Sequence, residues 1–224
     1  MNWTAIGVTC KLASLTSVAL LLIGLPIAYW LAYSKWRWKF VVESIVALPL
    51  VLPPTVLGFY LLVAIGPQSP IGQFYTTLTG STLPFSFQGL LIASILYSLP
   101  FAVQPFATAF EQVDRKLIEA SWTLGVSKLQ TFFKLILPLS TAGLITGVVL
   151  SFAHTLGEFG VVLMVGGNIE GVTRTVSIEI YDNVQALDYA GAATTSAFFL
   201  VMSYTVLLLV YAVNRRVWSV WPQK

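Results

Sequence analysis

The sequence predicts an all-α integral membrane protein with about five transmembrane helices. Of its 224 residues, 57% are hydrophobic and only 9% are charged, against about 25% charged in an ordinary soluble domain. Such a chain cannot cover a globular surface with polar groups, so most of it must contact lipid. The apolar runs are long enough for helices, since about 20 residues cross the hydrocarbon core. They lack the short alternating pattern of a membrane β-barrel.

Five runs meet this length, and we assign the whole chain, residues 1–224, to one transmembrane domain. The spans are expected at residues 12–33, 41–65, 88–110, 139–165 and 189–213. Glu43 lies at the edge of the second span, and His154 and Glu158 lie within the fourth. The first run is longer than the hydrophobic region of a cleaved signal peptide, about 7–15 residues, so we expect it to remain as a helix.

The distribution of Lys and Arg predicts the orientation, because these residues concentrate in short cytoplasmic loops. With the amino terminus outside and the carboxyl terminus in the cytoplasm, ten of the twelve basic residues fall on the inner side. These are Lys35, Arg37, Lys39, Arg115, Lys116, Lys128, Lys134, Arg215, Arg216 and Lys224. Lys11 and Arg174 fall outside. Five tryptophans then suit the inner interface: Trp30, Trp36, Trp38, Trp218 and Trp221.

The segment between the third and fourth spans, residues 111–138, has the pattern of two helices separated by a glycine. Apolar residues recur at helical spacing before Gly125 and again after it. They are Val113, Leu117, Ala120 and Leu124, then Leu129, Phe132, Phe133, Ile136 and Leu137. Glycine commonly ends a helix, and Pro138 suits the start of the next one. The segment is either a simple interfacial connector or a docking surface for a cytoplasmic partner.

Residues of this segment resemble the "EAA…G…I-x-L-P" signature of permease subunits of bacterial ABC importers. The matching residues are Glu119-Ala120-Ser121, Gly125 and Leu135-x-Leu137-Pro138. Ser121 stands where the family usually has Ala, and Leu135 stands where it usually has Ile. Three further stretches resemble the molybdate permease (ModB-like) family over nearly the whole chain. They are LPLVLPPTVLGFYLL from Leu48, TLGEFG from Thr155 and GNIEGVTRTV from Gly167.

The resemblance implies the MetI-like fold of an importer permease in the bacterial inner (plasma) membrane. It implies ATP-driven inward transport of molybdate, with sulfate or tungstate as alternative cargo. The implied partners are two copies of a cytoplasmic ABC ATPase, a second copy of this chain, a periplasmic oxyanion-binding protein and the lipid bilayer, and no nucleic acid. Coupling to the ATPase is assigned to Asp114, Leu117, Glu119, Ala120, Ser121, Leu124, Gly125, Leu137 and Pro138.

The sequence contains no G-x-x-x-x-G-K-[ST] motif, so we expect the chain itself not to hydrolyse nucleotide. Its single cysteine, Cys10, excludes an intrachain disulfide and offers no metal-ligand spacing. We therefore expect no catalytic residue, no metal site and no cofactor on this chain. By the resemblance, ATP and Mg²⁺ belong to the separate ATPase subunit.

Prolines and polar residues in the second to fourth spans indicate where a translocation pathway runs. Broken helices at membrane depth are tolerated where they are buried in protein or line a cavity. The pathway or gate is assigned to Pro53, Pro54, Thr55, Ser151, Thr155, Glu158 and Phe159. Simple packing kinks are the alternative. Gly143 and Gly147 form a G-x-x-x-G face, which we interpret as a helix-packing surface.

His154 and Glu158 are four residues apart in one span and are expected to share a helix face, where they could pair. Intramembrane ionisable residues are expensive and invite a functional hypothesis. One interpretation is a structural helix–helix hydrogen bond, and another is a gate contact. A third makes the pair the coupling site of a proton-driven secondary carrier, which is the competing function.

The outer loop, residues 166–188, carries four acidic residues against Arg174, a balance of −3. They are Glu170, Glu179, Asp182 and Asp188. This loop would repel an anion at long range. The sequence therefore predicts a weakly binding pathway that receives its cargo from an external capture protein.

Overall fold

The computed structural model describes residues 2–219, with the side chains of 209, 210 and 212–219 left out. All regular elements in that range are helices, which confirms the all-α class. They are α1 (Trp3–Tyr33), α2 (Lys39–Val51), α3 (Pro54–Ala64), α4 (Pro70–Thr79), α5 (Phe87–Glu111), α6 (Arg115–Thr123), α7 (Lys128–Thr131), a π-helical turn (Phe132–Ile136), α8 (Leu137–Leu139), α9 (Thr141–Leu156), α10 (Gly160–Gly166), α11 (Val176–Gln185) and α12 (Tyr189–Ser219). The side chains of Arg215, Arg216 and Trp218, and all of Trp221 and Lys224, lie outside the described residues.

Helix α5 lies at the centre of the bundle and packs against α1, α2, α9 and α10. Its Phe106 and Phe110 are fully buried and join Leu20 of α1 and Leu144 of α9 in one core cluster. A glycine of α9 allows the close approach of α5, because a Cβ added at Gly147 would lie 2.5 Å from Phe106 Cε1. The predicted packing role of the G-x-x-x-G face is therefore confirmed.

Three helices are long and apolar enough to cross a membrane singly: α1, α5 and the Tyr189–Leu208 part of α12. There are two more spans if each of two sharply bent helix pairs is counted as one broken span. One pair is α2 with α3, bent by 115°, and the other is Lys128–Leu139 with Thr141–Leu156, bent by 72°. The described residues thus provide three to five spans, in agreement with the expected number of about five.

The second expected span, residues 41–65, is not one helix. Helix α2 ends at Val51 and α3 begins at Pro54. Leu52 and Pro53 each precede a proline and adopt extended ψ values of 136° and 135°. A residue before proline is sterically excluded from the helical region, and proline itself has no N–H to donate. The two successive prolines therefore end α2 and interrupt the expected span.

The fourth expected span, residues 139–165, is also interrupted. Helix α9 ends at Leu156 and α10 begins at Gly160, so that Gly157, Glu158 and Phe159 form a non-helical break. No proline marks this break. Its position depends on contacts with α5 that are described below.

Helix α1 begins nine residues before the expected start of the first span. The Asn2 side chain caps it by accepting hydrogen bonds from the N–H groups of Thr4 and Ala5, at 3.0 and 3.1 Å. Lys11 consequently lies within α1, with its Nζ 4.4 Å from the ring centre of Phe87. The expectation that it precedes the first span is wrong, because the Asn2 cap starts the helix at Trp3.

Candidate functional site

The segment between α5 and α9 has the expected helix–glycine–helix form. Helix α6 begins after Asp114, whose Oδ1 accepts a hydrogen bond from Lys116 N at 2.9 Å. At its other end Gly125 adopts φ +79°. The Gly125 N–H donates to Trp122 O at 2.9 Å and the Val126 N–H donates to Ser121 O at 3.1 Å. These two bonds and the left-handed glycine make a Schellman ending, a turn that glycine adopts without backbone strain.

Ser121 joins the two helices of this segment. The Thr131 hydroxyl donates to Ser127 O at 3.0 Å, so its oxygen is free to accept from the Ser121 hydroxyl at 2.9 Å. An alanine at this position could not make the second bond. The serine found in place of the usual alanine therefore adds a hydrogen bond between α6 and α7.

The buried side of α6 differs from the expected apolar face. Val113 is buried as expected, but Leu117 and Leu124 are 48% and 83% exposed, and Glu119 and Ala120 are exposed too. Ile118 is buried instead, in the same core cluster as Phe110 and Ile136. At the end of the segment Leu137 is half-buried and Pro138 is exposed.

Large apolar side chains are consequently exposed around the Gly125 turn. We call Leu117, Trp122, Leu124 and Leu129 the loop patch. The patch lies on the segment that separates two apolar spans, and Ile118 connects the same helix to the core. A surface of this kind can receive a protein partner and transmit its displacement to the bundle.

Several residues that the sequence assigned to the pathway lie at two helix breaks, which are close to each other. Pro53, Pro54 and Thr55 are exposed where α2 meets α3. A Cβ added at Gly160, where α10 begins, would lie 2.7 Å from Pro54 Cβ. The start of α10 therefore contacts the start of α3, so the non-helical breaks that precede these two helices lie close together.

The other pathway residues lie deeper. Ser151, Thr155 and Glu158 are buried, and Phe159 is half-buried with its ring 5.1 Å from that of Tyr181. Their assignment to a pathway or gate stays a prediction.

Glu158 and His154 each bind a serine of α5. The Ser94 hydroxyl donates to Glu158 Oε2 at 2.9 Å, and the Ser98 hydroxyl lies 2.9 Å from His154 Nδ1. The His154 ring stacks on Phe101, with centroids 3.9 Å apart. Ser94 and Ser98 are one helical turn apart, so they hold the end of α9 and the following break against one face of α5.

The ion pairs of the described residues include none between His154 and Glu158. Their possible pairing on one helix face is therefore wrong, because α9 ends before Glu158 and takes that residue out of helical register. Both residues do form hydrogen bonds to α5, whereas the choice between a structural contact and a gate contact stays a prediction. The Glu158 Oε1 atom is buried and has no partner among the described residues.

We expect Ser94→Ala to destabilise the folded protein by about 1–3 kcal/mol, because it would leave the buried Glu158 side chain without its hydrogen-bond donor. Ser17→Ala is the matched control, since Ser17 is also buried but bonds only to Ala13 O of its own helix. Thermal unfolding of the purified proteins measures both effects. Equal unfolding midpoints for the two variants would contradict a structural role for the Ser94–Glu158 bond.

Two cavities of about 490 Å³ each flank one side of α5, and Gln104 and Thr108 line both. Gln112 of α5 and Thr146 of α9 line the first cavity as well. Sequence reasoning missed these residues. The available signal was the spacing of Gln104, Thr108 and Gln112, four residues apart in an otherwise apolar span. Such spacing places polar groups on one helix face.

The loop of residues 166–188 holds its single cation, Arg174, in a polar cluster. Arg174 Nε donates to Asn168 Oδ1 at 2.6 Å, and its guanidinium lies 3.9 Å from Glu170 and from Asp182. Glu179 is buried, and this burial raises the pKa of its carboxyl group. Arg174 is thus neutralised by its neighbours, as expected for a loop with little attraction for anions.

No group of three or more His, Cys, Asp and Glu side chains within the described residues comes together as a metal site. The arrangement instead consists of an exposed apolar loop patch, two helix breaks that lie close together and a polar face on α5.

Comparisons with known proteins agree with this architecture. The family model "Binding-protein-dependent transport system inner membrane component" matches residues 24–219. The molybdenum transport system permease protein ModB of Azotobacter vinelandii is 52% identical over 94% of this chain and 93% of its own length. ModB of Escherichia coli is 36% identical over 93% and 91%. A probable sulfate transport system permease protein of Chlorella vulgaris is 36% identical over 80% and 67%.

Solved structures of low sequence identity share the fold. The inward-facing MetNI methionine ABC transporter aligns with a TM-score of 0.74 at 18% identity, over 97% of this chain and 99% of the other. A bacterial alginate ABC transporter aligns with a TM-score of 0.76 at 16% identity, over 96% and 79%. On the extent of the family match and the 52% identity, the chain belongs to the binding-protein-dependent transport system inner membrane components.

Proposed function

We propose that this chain is the permease subunit of an ATP-driven importer that carries molybdate across the bacterial inner membrane. Molybdate is favoured because relatives covering more than nine-tenths of the chain are named as molybdenum transport permeases. Sulfate is an alternative cargo because one relative is named as a probable sulfate permease. Tungstate is another, because its shape is similar to that of molybdate and sulfate. The amino terminus lies outside and residues 111–138 lie in the cytoplasm, as the distribution of basic residues predicts.

The observation that carries the proposal is the loop patch. Four large apolar side chains are exposed around the Gly125 turn, and three of them, Leu117, Trp122 and Leu124, lie outside every candidate span. Water around such a patch is displaced favourably when a partner covers it. We assign this partner to a separate ATPase subunit, and we assign the coupling contacts to the loop patch together with Asp114, Glu119, Ala120 and Ser121.

The α6 helix can transmit motion because it is fixed at several points. Ile118 anchors it in the core cluster, and the Ser121–Thr131 hydrogen bond fixes it to α7. When ATP closes two ATPase subunits, we propose that they draw two such loops together. The loops then rotate the helix bundles as rigid bodies between inward and outward access.

The polar face of α5 supports a second copy of the chain in the complex. Gln104, Thr108 and Gln112 are exposed in the single chain. Exposed amide groups are costly in hydrocarbon. A second copy that faces this side of α5 would enclose the two cavities beside Gln104 and Thr108 and keep them hydrated. We propose that this enclosed space is the inner part of the pathway, and that the paired breaks at Pro53–Pro54 and Glu158–Phe159 form the gate.

The neutralised outer loop supports delivery of cargo by a periplasmic oxyanion-binding protein. Arg174 is occupied by Asn168, Glu170 and Asp182, so the outer loop offers no free cation of its own among the described residues to capture a dianion. High-affinity capture of the oxyanion is then the task of the periplasmic binding protein. A permease that binds weakly also releases its cargo quickly, as conduction requires.

A proton-coupled carrier is the competing function, with His154 and Glu158 as its site. Each of these residues binds its own α5 serine and the two do not form an ion pair. This geometry disfavours a shared proton site. The importer proposal therefore has the stronger support.

The decisive test is uptake by proteoliposomes that contain this chain with its ATPase, supplied with the capture protein outside. We expect molybdate uptake to require internal ATP and to persist when a protonophore collapses the proton gradient. An ATPase carrying a substitution of its catalytic base is the matched control and should give no uptake. Accumulation of molybdate driven by a proton gradient without ATP would overturn the proposal. If sulfate inhibits molybdate uptake more strongly than tungstate does, the cargo would be reassigned to sulfate.

A further inference from the structure

A small cavity of about 150 Å³ lies between the end of α1 and helix α6. Its walls are aromatic and aliphatic apart from three charged side chains. Tyr29 and Tyr33 come from α1, and Ile118 and Trp122 come from α6. The charged residues are Lys35, Arg115 and Glu119, so the cavity carries a net charge of +1.

Neither cation of this cavity is neutralised by an ion pair. Among the described ion pairs, Lys39 binds Glu43 at 3.3 Å and Arg174 binds the acidic residues of the outer loop. Lys35 and Arg115 occur in none of them. Lys39 also donates a hydrogen bond to Leu31 O at 3.4 Å, so its ammonium group already has two partners. Lys35, four residues earlier, has no ion-pair partner among the described residues. Two unpaired cations beside one carboxylate attract a group with more than one anionic oxygen.

The cavity also lies at the level of an aromatic interface belt. Trp30 and Trp36 are exposed, and their ring centroids are 5.9 Å apart. They flank Tyr33 and Lys35 along the chain. Tryptophan and tyrosine accumulate at the headgroup level of a bilayer. Exposed Leu22 and Ile23 continue the apolar surface of α1 along the same helix, where acyl chains can lie.

We propose that this cavity binds the headgroup phosphate of an anionic phospholipid of the inner leaflet. The phosphate lies between Lys35 and Arg115, and the acyl chains follow α1. Basic pockets beside membrane helices on the cytoplasmic side favour such headgroups. Because Arg115, Ile118 and Trp122 also belong to α6, the bound lipid links the docking helix to the membrane surface. The site is independent of the cargo, and it extends the proposed function by a lipid contact.

The test is binding of phosphatidylglycerol to the purified permease–ATPase complex in detergent, counted by native mass spectrometry, with phosphatidylcholine as the reference lipid. We expect Lys35→Gln with Arg115→Gln to weaken phosphatidylglycerol binding by about fivefold for each charge removed. Arg37→Gln with Lys116→Gln is the matched control, because these exposed neighbours do not line the cavity. Phosphatidylcholine binding should be the same in all three proteins.

Equal loss of phosphatidylglycerol in the control pair would overturn the proposal, because it would show general surface attraction. Unchanged lipid binding with a lower ATPase content in the purified complex would overturn it too, and would assign the cavity to an acidic side chain of the ATPase. Displacement of the lipid by inorganic phosphate at equal concentration would indicate a free-phosphate site instead. If the double variant does not yield monodisperse complex, Lys35→Gln alone serves, since Lys35 is exposed beyond the end of α1.

Discussion

Replacing Gly125 with isoleucine is expected to lower ATP-driven uptake by about tenfold while the protein still inserts into the membrane. Gly125 adopts φ +79°, and an added Cβ would meet no atom within 4 Å. The substitution therefore acts on the backbone alone. A left-handed conformation costs an L-residue about 1–2 kcal/mol, and a β-branched residue is especially disfavoured there. The variant relieves this strain by moving the turn that carries the loop patch.

The expected consequence is uncoupling rather than unfolding. Leu187 adopts φ +61° elsewhere in the chain, so the fold accepts a non-glycine residue at a similar helix ending. A displaced turn no longer presents Leu124 and Leu129 in their native arrangement to the ATPase. Molybdate uptake and ATP hydrolysis measured on the same proteoliposomes should show uptake falling much more than hydrolysis.

Gly80→Ile is the matched control for Gly125→Ile. Gly80 ends α4 with φ +72°, and its added Cβ also meets nothing within 4 Å. The backbone strain is therefore similar, but α4 lies between α3 and α5 in the chain and is not part of the segment that carries the loop patch. We expect Gly80→Ile to keep uptake near the unmodified level. Unchanged uptake by Gly125→Ile, or an equal loss in both variants, would contradict the coupling role of the turn.

The class and the number of spans could be predicted because composition and run length determine them directly. The helix–glycine–helix form of residues 111–138 could be predicted as well, since Gly125 and the flanking periodicity are local signals. The side of α6 that faces the core could not be predicted. Leu117 and Ile118 are both apolar, and as neighbours in the chain they point about 100° apart around the helix axis. Contacts with Phe110 and Ile136 select Ile118 for burial.

The helix breaks show where local signals stop being sufficient. Pro53 and Pro54 predict that the helix is interrupted, but the 115° bend between α2 and α3 depends on the packing of α3 against α10. A Cβ at Gly58 would lie 2.7 Å from Met164 Cβ, so this packing is close. The second break has no proline, and Glu158 in it binds Ser94, which is 64 residues away in the chain. A single sequence does not reveal such a partner.

Replacing Gly147 with alanine is expected to destabilise the folded protein by about 1–3 kcal/mol, the usual cost of overpacking a core. The new Cβ would lie 2.5 Å from Phe106 Cε1 and 3.0 Å from Ala102 O. Phe106 is fully buried, and the carbonyl belongs to the backbone of α5, so neither can easily move away. Helices α5 and α9 must then separate. Thermal unfolding of the purified protein measures the loss.

Gly7→Ala is the control for Gly147→Ala, because Gly7 is exposed on α1 and its added Cβ meets nothing within 4 Å. Alanine is preferred over glycine in a helix by about 1 kcal/mol, so this variant should be neutral or more stable. Combining Gly147→Ala with Phe106→Leu tests the mechanism. Leucine removes the ring atoms that the new methyl group would meet, so the double variant should lose less stability than the sum of the two single losses. Strict additivity would show that the contact between α5 and α9 at this position is not the cause.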